Sequence, residues 1–385
     1  MGSLASYLGM NMEWITRGWL VLRLANDSPL ALALVMVSFA LPMTFMSLVG
    51  GALADRIPRK QMMIYSQIGN VCLMLVMATL DFTGLIALWH VLVLGFFNGS
   101  MMAFNMPSRQ AVVSEIVPPE KLMNGISLVS SAMNSTRIIG PALAGVLIVF
   151  IGTSGVFFLL TGVYTLAAIS VIPVKAGREA QAKSGKSMGG DILAGLNYAR
   201  RTPPLSGLIV MAFIPILFGM SYYALMPAWA REVLDVGSDD LGWLYVAMGV
   251  GALAGTLTLA SLRDFQHRGL LLLVSCFVWG IVLAVFSQLG SYIAIIPILL
   301  FMGFVSSLFM SLNMALMQTS ASPEMRGRMM SIAMMSFGAM PLSAVPFAAL
   351  AERVGTPDAL LLSGIMLAVF TVVFAFAYPP FRRIA

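Results

Sequence analysis

Two ionisable residues four positions apart, Glu13 and Arg17, lie inside the first long apolar run of a chain in which only 10% of residues are charged. A spacing of four puts both side chains on one helical face, one turn apart. Ser6, Gly9 and Thr16 share that face, so the run carries a polar strip. A carboxylate at membrane depth is expensive and marks a functional site by default. Two chemistries fit it. Either the pair neutralises itself, or Glu13 gains and loses a proton as burial and the guanidinium compete over its charge. Every other acid falls in a connection or near the end of an apolar run, which leaves Glu13 as the one mid-run carboxyl able to carry a proton. A second group, Asp55, Arg56, Arg59 and Lys60, follows Gly50-Gly51-Ala52-Leu53-Ala54 in a tight connection through Pro58. Its bases suit anchoring at a membrane surface, but an acid adds nothing to anchoring. In a third group, Ser127, Ser130, Asn134, Arg137, Pro141 and Gly145 recur every three or four residues and share a face, with Gly140 alongside. There Arg137 is either the counter-ion of Glu13 or a cation for an anionic group of a substrate.

These residues need helices that cross a bilayer. Of 385 residues, 59% are hydrophobic, and so few charges cannot cover a soluble protein of this length. Crossing the hydrocarbon takes about 20 apolar residues. Runs bounded by Pro, Gly and charge clusters predict twelve spans near 3–25, 29–54, 61–80, 85–106, 121–150, 153–174, 204–230, 240–262, 269–288, 292–318, 326–351 and 357–378. The runs are continuous rather than alternating, which requires helices and not barrel strands. The sequence thus predicts an all-α membrane protein with an N-terminal six-helix bundle over 1–174, a cytoplasmic linker with a short amphipathic helix over 175–203, and a C-terminal six-helix bundle over 204–385.

Charge sets the orientation. Of 22 Lys and Arg, only Arg23, Arg231 and Arg353 fall on one side, Arg17 and Arg137 fall inside spans, and the other 17, Arg109 among them, fall on the side of both termini. That side is the cytoplasm, and the net charge of +6 is a topology signal, not a nucleic-acid footprint. The two cysteines, Cys72 and Cys276, lie in apolar runs, and the two histidines are too few for a metal cluster. Ser184-Gly185-Lys186-Ser187 lacks both the earlier glycine and the strand of a phosphate-binding loop. No nucleophile–base–acid set is visible, so no enzyme, metal or cofactor is expected.

The chain also repeats. Gly95-Phe96 and Asn105-Met106 recur as Gly303-Phe304 and Asn313-Met314 at an offset of 208, and Pro119-Glu120 with Ser127 recurs as Pro323-Glu324 with Ser331 at 204. Two copies of a six-helix unit about an axis along the membrane normal make an alternating-access architecture.

The stretch from Gly51 to Lys60 resembles the signature loop of the major facilitator superfamily, with Asp55, Arg56, Arg59 and Lys60 matching and Pro58 replacing a glycine. Gly140, Pro141 and Gly145 resemble that family's antiporter motif. The string from Met106-Pro107-Ser108-Arg109-Gln110 to Pro141, with Trp19-Leu20-Val21-Leu22 and Tyr198-Ala199-Arg200-Arg201-Thr202-Pro203, is similar to the enterobactin-exporter-like secretion effectors. Members of that branch begin earlier, with a basic tail and a fuller first helix. The resemblance implies two pseudo-symmetric bundles, a cytoplasmic gate at Gly51, Asp55, Arg56, Arg59 and Lys60, and monomeric function. It implies a cavity among the first, fourth, seventh and tenth helices, with Asn98, Asn105, Tyr222, Tyr223, Asn313 and Gln318 as candidate lining beside Asn134 and Arg137. Singly, each of these also suits ordinary helix–helix hydrogen bonding.

The expected function is proton-coupled efflux of small amphipathic compounds, drug-like or siderophore-like, from a bacterial inner membrane. The partners are protons, a small-molecule substrate and lipid. Import of a metabolite and a non-transporting scaffold or sensor are the alternatives, because fold alone does not fix function.

Overall fold

A computed structural model of the chain describes residues 2–54, 58–116, 122–173, 197–261, 267–322, 325, 329, 332, 336 and 338–383. All regular elements among them are helical. They are α1 (Gly2–Leu24), α2 (Pro29–Ala54), α3 (Arg59–Phe82), α4 (Leu88–Ile116), α5 (Leu122–Val171), α6 (Pro203–Phe218), α7 (Ser221–Trp229), α8 (Ser238–Ser261), α9 (Arg268–Ser287), α10 (Tyr292–Ser320), α11 (Met340–Val354) and α12 (Thr356–Ala377). In hydrocarbon every backbone N–H and C=O must pair within its own segment, and apolar runs of this length do so as helices.

Labels and spans do not coincide one to one, although both number twelve. α5 holds two spans, which part at Gly152, where φ is 69° and ψ is 175°. Glycine occupies that conformation without the penalty a Cβ would bring. The seventh span is broken instead of continuous. α6 stops at Phe218, α7 resumes at Ser221, and a π-turn over Ala230–Leu234 follows. Pro215, four residues before Gly219, cannot donate into the ladder, and its carbonyl accepts the Gly219 N–H at 2.7 Å. α4 outruns its apolar stretch by ten residues, from 106 to Ile116. Hydropathy marks where lipid ends, whereas the backbone ladder runs on. Seven of the described helical stretches are individually long and apolar enough to cross a membrane. α1 falls short of that measure because of its polar face.

The chain divides into two compact units, Met1–Ser184 with Val236–Val246 and Gly185–Asp235 with Ala247–Ala385. Within each, large apolar side chains point outward, as Phe150 (78% exposed) and Ile293 (81%) do, the arrangement a lipid solvent favours.

The repeated glycines mark the same device in both units. In the first, a Cβ on Gly95 would lie 2.7 Å from Ser38 Oγ of α2, and one on Gly99 would lie 2.0 Å from the Phe39 carbonyl oxygen. In the second, a Cβ on Gly303 of α10 would lie 2.0 Å from the Met248 carbonyl oxygen of α8. Gly251 and Gly255 of α8 face the Leu300 and Phe304 carbonyl oxygens as closely, at 1.8 and 2.2 Å. Helices without a hydrophobic drive to associate gain most from such backbone approach.

One polar staple closes the far end of the first unit. Arg23, at the end of α1, pairs with Asp81 at the end of α3, whose second oxygen accepts the Thr153 hydroxyl just after the Gly152 break. Asp81 is buried, and its side chain is 1% exposed. Asp81→Ala would leave the buried Thr153 hydroxyl without its acceptor, a cost of about 1–3 kcal/mol. Its unfolding midpoint in detergent should fall by several degrees, and a midpoint equal to the wild type would show that the staple contributes nothing.

Candidate functional site

The interior of the first unit carries a cluster of polar and charged side chains among its apolar ones. Glu13 and Arg17 are both buried, at 4% and 3% exposure. They form an ion pair along α1. The second carboxylate oxygen of Glu13 accepts the Tyr164 hydroxyl at 2.9 Å from the second arm of α5, 151 residues away. Glu13 therefore has a cation and a neutral donor, both inside the protein. Arg17 reaches toward α4, where a Cβ on Gly95 would come within 3.6 Å of its Nη1, and its buried Nε has no hydrogen-bond partner.

α1 is held against α5 by close contact. A Cβ on Gly140 would lie 2.6 Å from Asn11 Cβ. Asn11 Nδ2 donates to the Tyr7 carbonyl at 2.8 Å and to Thr136 Oγ1 at 3.4 Å. Five residues along α5, a Cβ on Gly145 would meet the Ser238 carbonyl at 2.4 Å, and the Ser238 hydroxyl donates to the Gly145 carbonyl at 3.2 Å. Gly242 approaches the Pro141 carbonyl in the same way, at 2.9 Å, and all of these residues belong to the first unit. Gly140 and Gly145 thus allow two contacts that side chains would block, and the absence of one at Gly242 allows a third at the Pro141 carbonyl.

A second chain of polar groups runs between α3 and α4. Asn98 Nδ2 donates to Asn70 Oδ1 (3.2 Å), Asn105 Nδ2 donates to Ser66 Oγ (2.8 Å), and Arg109 Nη2 donates to Asn105 Oδ1 (2.8 Å). The Arg109 guanidinium also lies 5.0 Å from the centre of the Tyr7 ring on α1, within cation–π range. Arg109 is 4% exposed, a buried cation and not a solvated one. It is buried because α4 stays helical past its apolar stretch and supplies Asn105 one turn back as acceptor. Gln67 Nε2 donates to Ser6 Oγ at 2.7 Å. Ser6, Tyr7, Gln67, Asn70, Asn105 and Arg109, with Tyr164, surround a small cavity with room for about one water.

The other expected site residues are placed as follows. Arg137 is exposed on α5, and the ionic partner of Glu13 is Arg17. Asn134 lies in α5, with its side chain outside the described residues. In the second unit Tyr222 is buried and Tyr223 half-buried, their rings edge-on with centres 6.3 Å apart. Asn313 is buried with an unpartnered Oδ1, and Gln318 is exposed. At the expected gate, Asp55 and Arg56 lie outside the described residues, as does most of the linker. Gly51 and Arg59 lie within α2 and α3. Lys60 Nζ donates to the Ile172 carbonyl at 2.6 Å, a cation on the last carbonyls after a helix.

Tyr164, Gln67, Asn70 and Tyr7 were not singled out by sequence, and only Arg109 had a usable signal. Asn98, Asn105 and Arg109 share one face of α4, seven and then four residues apart.

The transmembrane secretion effector model of the major facilitator superfamily matches residues 1–383. The chain is 28% identical over 263 residues to the uncharacterized MFS-type transporter YfiS of Bacillus subtilis, covering 64% of this chain and 60% of YfiS, so the match spans less than two thirds of that relative. It is 23% identical to the multidrug efflux pump Tap of Mycolicibacterium fortuitum, over 92% of this chain and 88% of Tap. It is 27% identical to the enterobactin exporter EntS of Shigella flexneri, over 73% of this chain and 66% of EntS. Among solved structures, the nucleoside transporter NupG superposes with a TM-score of 0.74 at 14% identity, over 99% of this chain and 97% of that one. The last likeness is one of fold alone.

Proposed function

The chain belongs to the transmembrane secretion effector family of the major facilitator superfamily, and from that membership and its buried carboxyl we propose that it exports small amphipathic molecules in exchange for protons by alternating access. It is a multi-pass membrane transporter and not an enzyme. The direction is supported by its relatives: Tap is a multidrug efflux pump and EntS an enterobactin exporter. The observation that carries proton coupling is Glu13, held inside the first unit between Arg17 and Tyr164.

The chemistry follows from that setting. A buried pair of opposite charges is tolerated because each compensates the other. When Glu13 takes up a proton, Arg17 is left as an uncompensated buried cation. The unit then has reason to rearrange, and a cationic group of a substrate, which the carboxylate would favour, is repelled. Proton binding and substrate binding are in this way mutually costly, which is the requirement for exchange. In this reading Asp55 and its basic neighbours latch the cytoplasmic face, and Gly140, Pro141 and Gly145 keep α5 closely packed. Arg137 and the tyrosines of α7 serve substrate. The protein works as a monomer in a bacterial inner membrane with both termini in the cytoplasm, the orientation favoured by the distribution of Lys and Arg.

The test is transport of ethidium, a lipophilic cationic dye, by proteoliposomes carrying an imposed pH gradient. Glu13→Gln should lower gradient-driven dye movement by about 100-fold or more while leaving downhill exchange in place. Gradient-driven rates equal to the wild type in that variant would refute the proton role.

A further inference from the structure

The small cavity between α1, α3, α4 and the second arm of α5 has a mixed wall, in which the apolar Met102 stands beside polar side chains from all four elements. An apolar hole of that size would stay dry, whereas a polar one able to offer two to four partners takes a water. One wall makes a specific demand. Gln67 is 1% exposed, its Nε2 is committed to Ser6, and its Oε1 has no partner. Buried amide oxygens are seldom left so, and an ordered water is the usual donor. Tyr164 lines the same cavity. Its hydroxyl already donates to Glu13 Oε2, so its oxygen is placed to accept.

We infer that the cavity holds one ordered water, donating to Gln67 Oε1 and to Tyr164 Oη, and that this water and Tyr164 are the path by which Glu13 exchanges its proton with the cytoplasmic side. The inference rests on the proton reading of Glu13 given above. The chain of donors is already polarised from water to Tyr164 to Glu13. As the phenolic proton passes to Oε2, a proton of the water passes to Oη, and the water is made good by a proton from solvent water. Release runs the same hops backwards, so nothing is gained or lost. Arg109, buried at the cavity wall and fixed by Asn105, opposes a resting hydronium there. It favours the hydroxide character that the water acquires in mid-transfer.

Position gives the path its direction. Ser6 lies about 10 Å along α1 from Glu13 toward the N-terminus, and Gln67 and Arg109 lie in the halves of α3 and α4 that are toward the start of α3 and the end of α4. The charged and titratable groups around Glu13 are Arg17 and Tyr7 on its own helix, Tyr164 on α5 and Arg109 on α4. α2 carries no titratable residue, and α3 presents the neutral Gln67 and Asn70 to the cavity.

The test uses the purified full-length protein in lipid vesicles and follows the protonated-carboxyl infrared band after a pH jump, which needs no substrate. The component missing from Glu13→Gln belongs to Glu13. Tyr164→Phe keeps the ring without the hydroxyl, and Gln67→Met keeps the volume without the amide oxygen. Each should slow the rise of that component by about tenfold or more with its final amplitude unchanged. A wild-type rate in either variant overturns the water path and leaves Glu13 standing as the proton carrier. Absence of any Glu13 component in the wild type overturns the carrier itself, and the path with it. If Tyr164→Phe does not fold, Gln67→Met decides alone, with its unfolding midpoint confirming that the fold is intact.

Discussion

Arg17→Met should yield almost no folded protein, and adding Glu13→Gln should restore it. The expectation follows from burial on both sides of the pair. Glu13 and Arg17 are each less than a twentieth exposed, so a carboxylate without its guanidinium keeps only the Tyr164 hydroxyl. Breaking a buried pair from one side costs about 3–5 kcal/mol because the remaining charge is stranded, against total stabilities of about 5–15 kcal/mol. Glu13→Gln alone costs less than Arg17→Met, because the introduced glutamine keeps an oxygen that accepts from the Arg17 guanidinium. Removing both charges strands nothing. In the double variant the glutamine introduced by Glu13→Gln would still offer a carbonyl oxygen to Tyr164. The methionine introduced by Arg17→Met would fill the channel toward Gly95 with a flexible apolar chain. The readout is the monodisperse fraction in detergent and its unfolding midpoint for the wild type, both singles and the double. A single Arg17→Met variant as stable as the wild type would mean that the carboxyl is neutral in the resting protein. Recovery of fold without recovery of gradient-driven transport in the double variant would show that the pair serves stability and coupling at once. The two readings of the Glu13–Arg17 spacing would then cease to be alternatives.

That spacing was legible because a helix brings residues four apart together whatever surrounds it. So were the spans, the charge asymmetry and the repeat, since each depends on local composition or on numbering within the chain. What could not be read was which distant groups share an interior. Tyr164 is an ordinary tyrosine in an apolar run until the turn at Gly152 folds the second arm of α5 back along α1. The burial of Arg109 is equally hidden, because hydropathy reports the edge of the lipid and not the end of a helix. Its burial depends on Asn105 and on the Tyr7 ring from another element. Likewise, the break after Phe218 arises from Pro215 and from Gly219 pressed against Leu367 of α12, a contact invisible within the run itself. The repeat also hides a difference. Asn105 and Asn313 are equivalent by offset, yet Asn105 sits in a hydrogen-bonded network while Asn313 Oδ1 is unpartnered. Four residues on, Arg109 has Met317 as its counterpart. Among the described residues the buried cation on this face thus belongs to the first unit, and on the proton reading the duplicated scaffold keeps its proton chemistry in one half.

Gly99→Ala and Gly303→Ala should both destabilise strongly, whereas Gly162→Ala should not. All three are helical glycines, so a propensity argument alone would have each gain by up to about 1 kcal/mol from a better helix former. Packing reverses the sign at two of them. A Cβ on Gly99 would lie 2.0 Å from the Phe39 carbonyl oxygen and 3.0 Å from Pro42 Cγ, and one on Gly303 would lie 2.0 Å from the Met248 carbonyl oxygen. The obstacle at each is chiefly backbone, which cannot swing aside as a flexible side chain does, so α4 must part from α2 and α10 from α8. Overpacking of this kind costs about 1–3 kcal/mol and sometimes more, and the lost backbone approach is what such membrane contacts rely on. At Gly162 nothing lies within 4 Å of the added methyl. Unfolding midpoints in one detergent compare the three directly. Equal midpoints for all three would sink the claim that close helix approach holds each unit together. A loss at Gly99 without one at Gly303 would confine that device to the first unit and leave the repeat as one of sequence only.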